Sequence, residues 1–360
     1  MKQNGFVRSV LVVILACFAC APPPPAPPGA PAVAPRLTTA YCDAPSNTDR
    51  FLSHVHYTVF TPAYPYTMVP SIDPASLDGN IQDDLTAAFN SAPLLFQQQL
   101  CQLTGIFINW AGCTNHTPGS CGSLNVQMIN NSWGFRTISS SPQRYIATSL
   151  GLWQSGGHAL PFSQYETMRL QALLQQLSSN AANWSNPPPP QFVQAVPDTP
   201  GTTVLAALAH EFGHVFWYDK FVPNPGGGVT EYACKNGGTF YPPNSWSRRP
   251  PPDRWINFGQ VRDRTPVVKP LKDFLDSSRF AQAGDALHAI YSDKRWESAL
   301  AAFSPDEDFV ETQEFLVLTN ANPPLQHLMI QIYGATTFPP YDIVADIQNK
   351  PELMRKMACF

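Results

Sequence analysis

The spacing of apolar and polar positions changes period several times along the chain. FLSHVHYTVF (51–60) alternates with the two-residue period of a strand. DGNIQDDLTAAFNSAPLLFQQQLCQL (78–103) sets Ile81, Leu85, Phe89, Phe96 and Leu100 at helical spacing, with Pro93 placed to kink that helix or start a second one. GIFINW (105–110), SLNVQMI (123–129) and RYIATSLGLW (144–153) predict strands, and SQYETMRLQALLQQLSS (163–179) predicts an amphipathic helix closed by NPPPP at 186–190. TTVLAALAHEFGHVFWYDKF (202–221) predicts a helix capped by Thr202 or Thr203 after Pro200-Gly201. Residues 222–270 are rich in proline and glycine with little periodicity, and irregular chain of that length inside a compact domain is usually functional. From Leu271 onward short helices dominate, including one from Pro305 and one near the C-terminus. The pattern predicts an α+β class, with helices backing a mixed or antiparallel sheet in the first half and a mainly helical second half.

Composition adds bounds to this picture. The 360 residues carry 44% apolar side chains, ample for a packed core, in one large or two modest domains. Only 13% are charged and the net charge is −4, which provides no electrostatic footprint for nucleic acid or an anionic membrane. The 38 prolines predict long irregular connections. Lys2 and Arg8 before VLVVILACFAC form a targeting signal, and Ile14-Leu15-Ala16-Cys17 has the form of a bacterial lipoprotein processing site. The expectation is an exported protein, lipid-anchored through Cys17 in the cell envelope (outer membrane or periplasm), with lipidation at Cys20 or free secretion as alternatives. APPPPAPPGAPAVAP (21–35) cannot pack and extends as polyproline II, which suits a tether. The predicted organisation is a signal peptide at 1–16, a tether at 17–41 and a folded domain at 42–360. Six further cysteines (Cys42, Cys101, Cys113, Cys121, Cys234 and Cys359) contain no CxxC pair, so disulfides are expected: one within 101–121, and a Cys42–Cys359 clasp.

The candidate chemistry lies in AHEFGHVFW (209–217). His210 and His214 at i and i+4 share one helical face, about 6 Å apart, so that both imidazoles can reach one ion. Glu211 is then angled towards water at the metal, where it can act as general base. Gly213 permits close approach of another element. A buried helix whose histidines bond backbone carbonyls is the ordinary alternative, but burying three ionisable groups without an ion is costly. A catalytic zinc needs a third protein ligand, and a third histidine on the same helix is excluded because Trp217 and Lys220 stand where the extended motif needs glycine and histidine. In FSPDEDFVETQEF (303–315), Glu307, Glu311 and Glu314 share one face, with no lysine or arginine between Arg295 and the end of that helix. A metal bound by Glu307, with Glu311 gripping a ligand histidine, would relieve their repulsion. Ser304-Pro305-Asp306-Glu307 is also a capping box, and on that reading Glu231 or Glu311 completes the site.

HEFGH followed by EDFVE resembles the gluzincin branch of the zincin metallopeptidases, and is similar to the catalytic domain of anthrax lethal factor and its bacterial relatives. The resemblance implies a zincin-like fold with an upper lobe at 42–217, a lower lobe at 218–360 and a cleft between them. It implies a zinc ion (Zn2+) held by His210, His214 and Glu307, with Glu211 as catalytic base and Glu311 behind a ligand histidine. It also implies hydrolysis of a peptide or protein substrate. No tyrosine precedes EDFVE where some relatives hold a transition-state stabiliser, which leaves Tyr232, His288 and Tyr291 as candidates. The competing expectations are a zinc hydrolase acting on cell-wall peptides and a non-catalytic surface protein that keeps the zinc fold. His54-x-His56 reads as structural, whereas His158 and the loop GGGVTEYACKNGG (226–238) could border a substrate cleft.

Overall fold

Alternation over residues 51–60 conceals a break. In the computed structural model, which describes residues 47–63, 66–121, 131–221, 268–293, 295–303, 305–357 and 360, that segment divides into helix α1 (Thr48–Leu52) and strand β1 (Val55–Thr58). The side chain of Asn47 accepts from Arg50 N–H and starts α1, so the strand begins only after the turn at Ser53. The signal, the tether, the strand expected at 123–129, the loop 226–238, Cys42, Cys234, Cys359, Glu231 and Tyr232 all lie outside the described residues. Pro93 divides the next helical stretch into α2 (Gly79–Ser91) and α3 (Leu94–Leu100), with Ala92 extended between them, as proline geometry requires.

Strands β2 (Gly105–Asn109), β3 (Trp133–Arg136) and β4 (Arg144–Ser149) join β1 in a mixed sheet of order β1-β2-β4-β3. The first three in that order run parallel, and β3 is antiparallel on the β4 edge. Every residue of β2 is buried, because both faces of the sheet are covered. Ile106, Ile108 and Ile146 enter the main core with Leu85 and Phe89 of α2. Phe107, Trp133, Phe135 and Tyr145 form a second, aromatic cluster with Tyr66 on the opposite face.

Helix α4 (Phe162–Leu177) leads through β5 (Gln191–Val196) into α5 (Pro200–Phe221), the longest helix among the described residues. Its N-terminal hydroxyl is Thr199, three residues earlier than expected. Pro200 takes the first helical position, Thr199 Oγ1 accepts from Thr202 N–H, and Thr203 Oγ1 donates to Leu160 O instead. Helix α5 packs on α2, on β3 and β4, and on the later α8 (Pro305–Thr319), which follows α6 (Val268–Asp276) and α7 (Phe280–Ser292).

The second half is less helical than its pattern predicts. Strands β6 (His327–Gln331) and β7 (Tyr341–Asp342) precede the short helices α9 (Ile343–Asn349) and α10 (Pro351–Met357). Together β5, β6 and β7 form an antiparallel sheet in which Gln191 lies opposite Gln331. Strand β5, before residue 217, thus pairs with β6 well beyond it. At the coarse level the protein is α+β, a mixed sheet backed by helices. Cys113 and Cys121 form a disulfide within the expected segment, and Cys101 is also disulfide-bonded.

Candidate metal centre

Two close backbone approaches hold the HEFGH stretch of α5 in place. A Cβ built on Gly134 of β3 would fall 1.8 Å from the carbonyl oxygen of Glu211, so only glycine lets the edge strand meet the helix there. On the other side, a Cβ on Gly213 would fall 3.0 Å from Cα of Val310, which places the closest approach of α8 between Glu307 and Glu311. The motif's glycine thus brings the acidic face of α8 against the two histidines. His210, Glu211, His214, Glu307, Glu311 and Glu314 are all buried.

The imidazoles of His210 and His214 lie 5.2 Å apart, centroid to centroid. His210 Nε2 is 3.8 Å from Glu307 Oε2, and His214 Nε2 is 4.0 Å from Glu307 Oε1. Bonds of about 2.0–2.1 Å in tetrahedral geometry separate neighbouring ligand atoms by about 3.4 Å, so this triad needs only a small contraction to hold one ion. The other imidazole nitrogen of His210 has Glu311 Oε1 at 3.0 Å and Glu314 Oε2 at 3.2 Å. A lone pair facing two carboxylates would be repelled, so Nδ1 carries the proton and Nε2 is left to face Glu307. His210, Glu311 and Glu314 form a second group within ligand reach of one another. A cation already lies against it: Arg169 Nη2 donates to Glu311 at 2.6 Å, and Nη1 to Glu314 at 3.1 Å and to Glu166 at 2.8 Å.

Burial governs the ionisation of these groups. It pushes Glu211 up to about 7 and Glu307 up to about 8. It holds His214 well below the usual imidazole range, helped by the charge of His210. At His210, burial and Arg169 both act downwards, yet hydrogen bonds to Glu311 and Glu314 prevail and raise it. Glu311 is lowered: burial opposes the shift, but the charge of Arg169 and the hydrogen bond from His210 outweigh it. Four buried glutamates line the pocket, namely Glu166, Glu211, Glu307 and Glu311, and a fifth, Glu314, lies behind them against one arginine. Glu211 Oε2 has no hydrogen-bond partner among the described residues. Such a surplus of acceptors is costly unless a cation balances it, and two imidazoles with one carboxylate suit a divalent ion. These buried residues could hold a metal.

The group opens into a cavity of about 260 Å³ with an apolar wall of Leu170, Leu173, Phe192 and Leu300. Tyr165 and Tyr291 also line it, and burial pushes both hydroxyls above the usual phenol range. His288 lies elsewhere, stacked on Phe338 with centroids 3.7 Å apart. Glu297 is engaged by Thr312 at 2.5 Å. His54 bonds Arg50 O at 2.8 Å, and His158 pairs with Asp84 at 3.0 Å, both structural roles. Sequence reasoning missed Glu166 and Arg169. Their signal was available, since both fall on the 162/166/169/173/177 stripe of α4 that otherwise faces the core. Comparison with protein-family models, with curated proteins and with solved structures gave no match.

Proposed function

We propose that the protein is an exported zinc metallopeptidase of gluzincin type with a zincin-like fold, tethered through Cys17, that hydrolyses peptide bonds. The observation that carries this reading is the buried convergence of His210 Nε2, His214 Nε2 and the Glu307 carboxylate beside Glu211, at the mouth of an apolar-walled cavity. Glu307 is preferred as third ligand because Glu311 faces the opposite nitrogen of His210. When bound, zinc supplies Lewis acidity, polarising a peptide carbonyl and acidifying water. Glu211, buried beside both histidines, would take a proton from the attacking water and return it to the leaving amine. The wall of Leu170, Leu173, Phe192 and Leu300 excludes bulk water and accepts an apolar side chain of the substrate.

Metal analysis of the purified protein, with a chelator-sensitive peptidase assay on unstructured proteins, tests the proposal. One zinc per chain is expected. Glu211→Gln should keep the metal while hydrolysis falls by about 10²–10⁴-fold. A parent protein without zinc, or a Glu211→Gln variant with full activity, would refute it.

A further inference from the structure

The group behind the histidine contains a residue that the zinc reading leaves without a role. Glu311 and Glu314 stand one turn apart on α8, and both reach Nδ1 of His210, at 3.0 and 3.2 Å. A single N–H satisfies one acceptor well, and two carboxylates at that spacing repel each other. Left alone, the pair would compete for His210 or turn apart. Arg169 spans both: Nη2 lies 2.6 Å from Glu311 Oε1, and Nη1 lies 3.1 and 3.2 Å from the two oxygens of Glu314. Glu166, one turn before Arg169 on α4, accepts from Nη1 at 2.8 Å and anchors the guanidinium to its own helix. Glu311 Oε1 therefore receives two donors, Arg169 Nη2 and His210 Nδ1, which are themselves 3.1 Å apart. The side chain of Arg169 is only 10% exposed, and the ring of Tyr165 lies 5.4 Å from its guanidinium carbon.

We propose that Arg169 is the positioning residue for the metal ligand His210: its guanidinium joins Glu311 to Glu314 so that a fixed carboxylate takes Nδ1–H and Nε2 is presented to the ion. The same contacts mean that the second His-Glu-Glu group holds a guanidinium rather than a second metal. A lysine cannot substitute, because an ammonium is a point charge without the planar fork that reaches two carboxylates at once. Arg169 meets His210 only on its Nδ1 side, away from the nitrogen that faces Glu307, and acts through Glu311.

This inference rests on the metal assignment above, but its readout is zinc affinity and not hydrolysis. Competition with a chromogenic chelator at fixed pH should give a zinc Kd about ten- to a hundred-fold weaker in Arg169→Lys and Arg169→Ala than in the parent, with circular dichroism unchanged. In Arg169→Ala, dilute guanidinium chloride should restore part of the affinity, whereas urea at equal concentration should not. Unaltered zinc affinity in either folded variant overturns the proposal, as does restoration by urea. Failure of both variants to fold with zinc present also overturns it, because Arg169 would then serve the fold and not His210. A parent that binds zinc without hydrolysing peptides, and loses it in the Arg169 variants, refutes the peptidase reading and leaves this one standing. A parent that binds no zinc refutes both.

Discussion

Two places in the molecule set a histidine against buried carboxylate, and they are built on opposite principles. At the first, Asp84 of α2 accepts from Trp153 Nε1 at 3.0 Å and from Ala159 N–H at 2.7 Å through one oxygen, and meets His158 Nδ1 at 3.0 Å with the other. Both oxygens are engaged, the histidine is half-exposed, and the result pins residues 153–159 to α2. At the second, five glutamates share one arginine and two imidazoles, and Glu211 Oε2 has no hydrogen-bond partner among the described residues. A histidine beside an acid is therefore weak evidence of chemistry. Acceptors in excess of donors among buried side chains are much stronger evidence.

The contrast can be broken most sharply by deleting an acid at each place. Glu307→Ala should weaken zinc binding on the order of 10³-fold in chelator competition, yet leave the metal-free protein as stable as the parent or more so. Asp84→Ala should leave zinc affinity unchanged and cost about 3 kcal/mol of stability in denaturant titrations, with or without metal. If both substitutions destabilised the metal-free protein equally, the distinction would collapse.

Smaller effects sharpen it. Gly134→Ala puts a methyl against the carbonyl of Glu211 and should cost about 1–3 kcal/mol of stability while weakening zinc binding as well, since the motif helix must shift. The mildest test uses pH. In the metal-free protein Glu211 and Glu307 are pushed up to about 7 and about 8 by burial, above their unfolded values. Between about pH 5 and pH 7 the unfolded chain has released protons that the folded one keeps, so stability falls as pH rises. His214, lowered by burial, opposes this in part. A net loss on the order of 1 kcal/mol per pH unit, about 2–4 °C in Tm, should appear without zinc and shrink when zinc is added. A metal-free Tm that rises over this range would count against the acceptor surplus.

Much of the site was legible because its parts are local. His210, Glu211 and His214 are set by helical spacing, Gly213 by its place between them, and Glu307 with Glu311 by an acidic face without nearby cations. Arg169 escaped notice because its meaning is not local. Within 163–179 it forms an ordinary i,i+3 pair with Glu166, and only the crossing of α4 with α8 turns it into the counterion of Glu311 and Glu314. The sheet of β5, β6 and β7 was missed for a related reason. QFVQAV and HLMIQ are too short and too mixed to stand out alone, and each is a strand only because the other lies beside it. The apparent cap at Thr202 or Thr203 gave way to Thr199 because proline claims the first helical position.

The β5–β6 ladder has an effect on timing. Strand β5 runs directly into the helix that carries both imidazoles, and the helix that carries Glu307 runs out into β6, where Gln326 N–H bonds back to Val196 O at 2.7 Å. One strand pair thus brackets both arms of the pocket at their outer ends. A chain emerging residue by residue has His210, His214 and Glu307 in hand by 307, but the strand that pairs with β5 is complete only at residue 331. The two arms of the pocket are in this way tied together only after the last of its acids has been made.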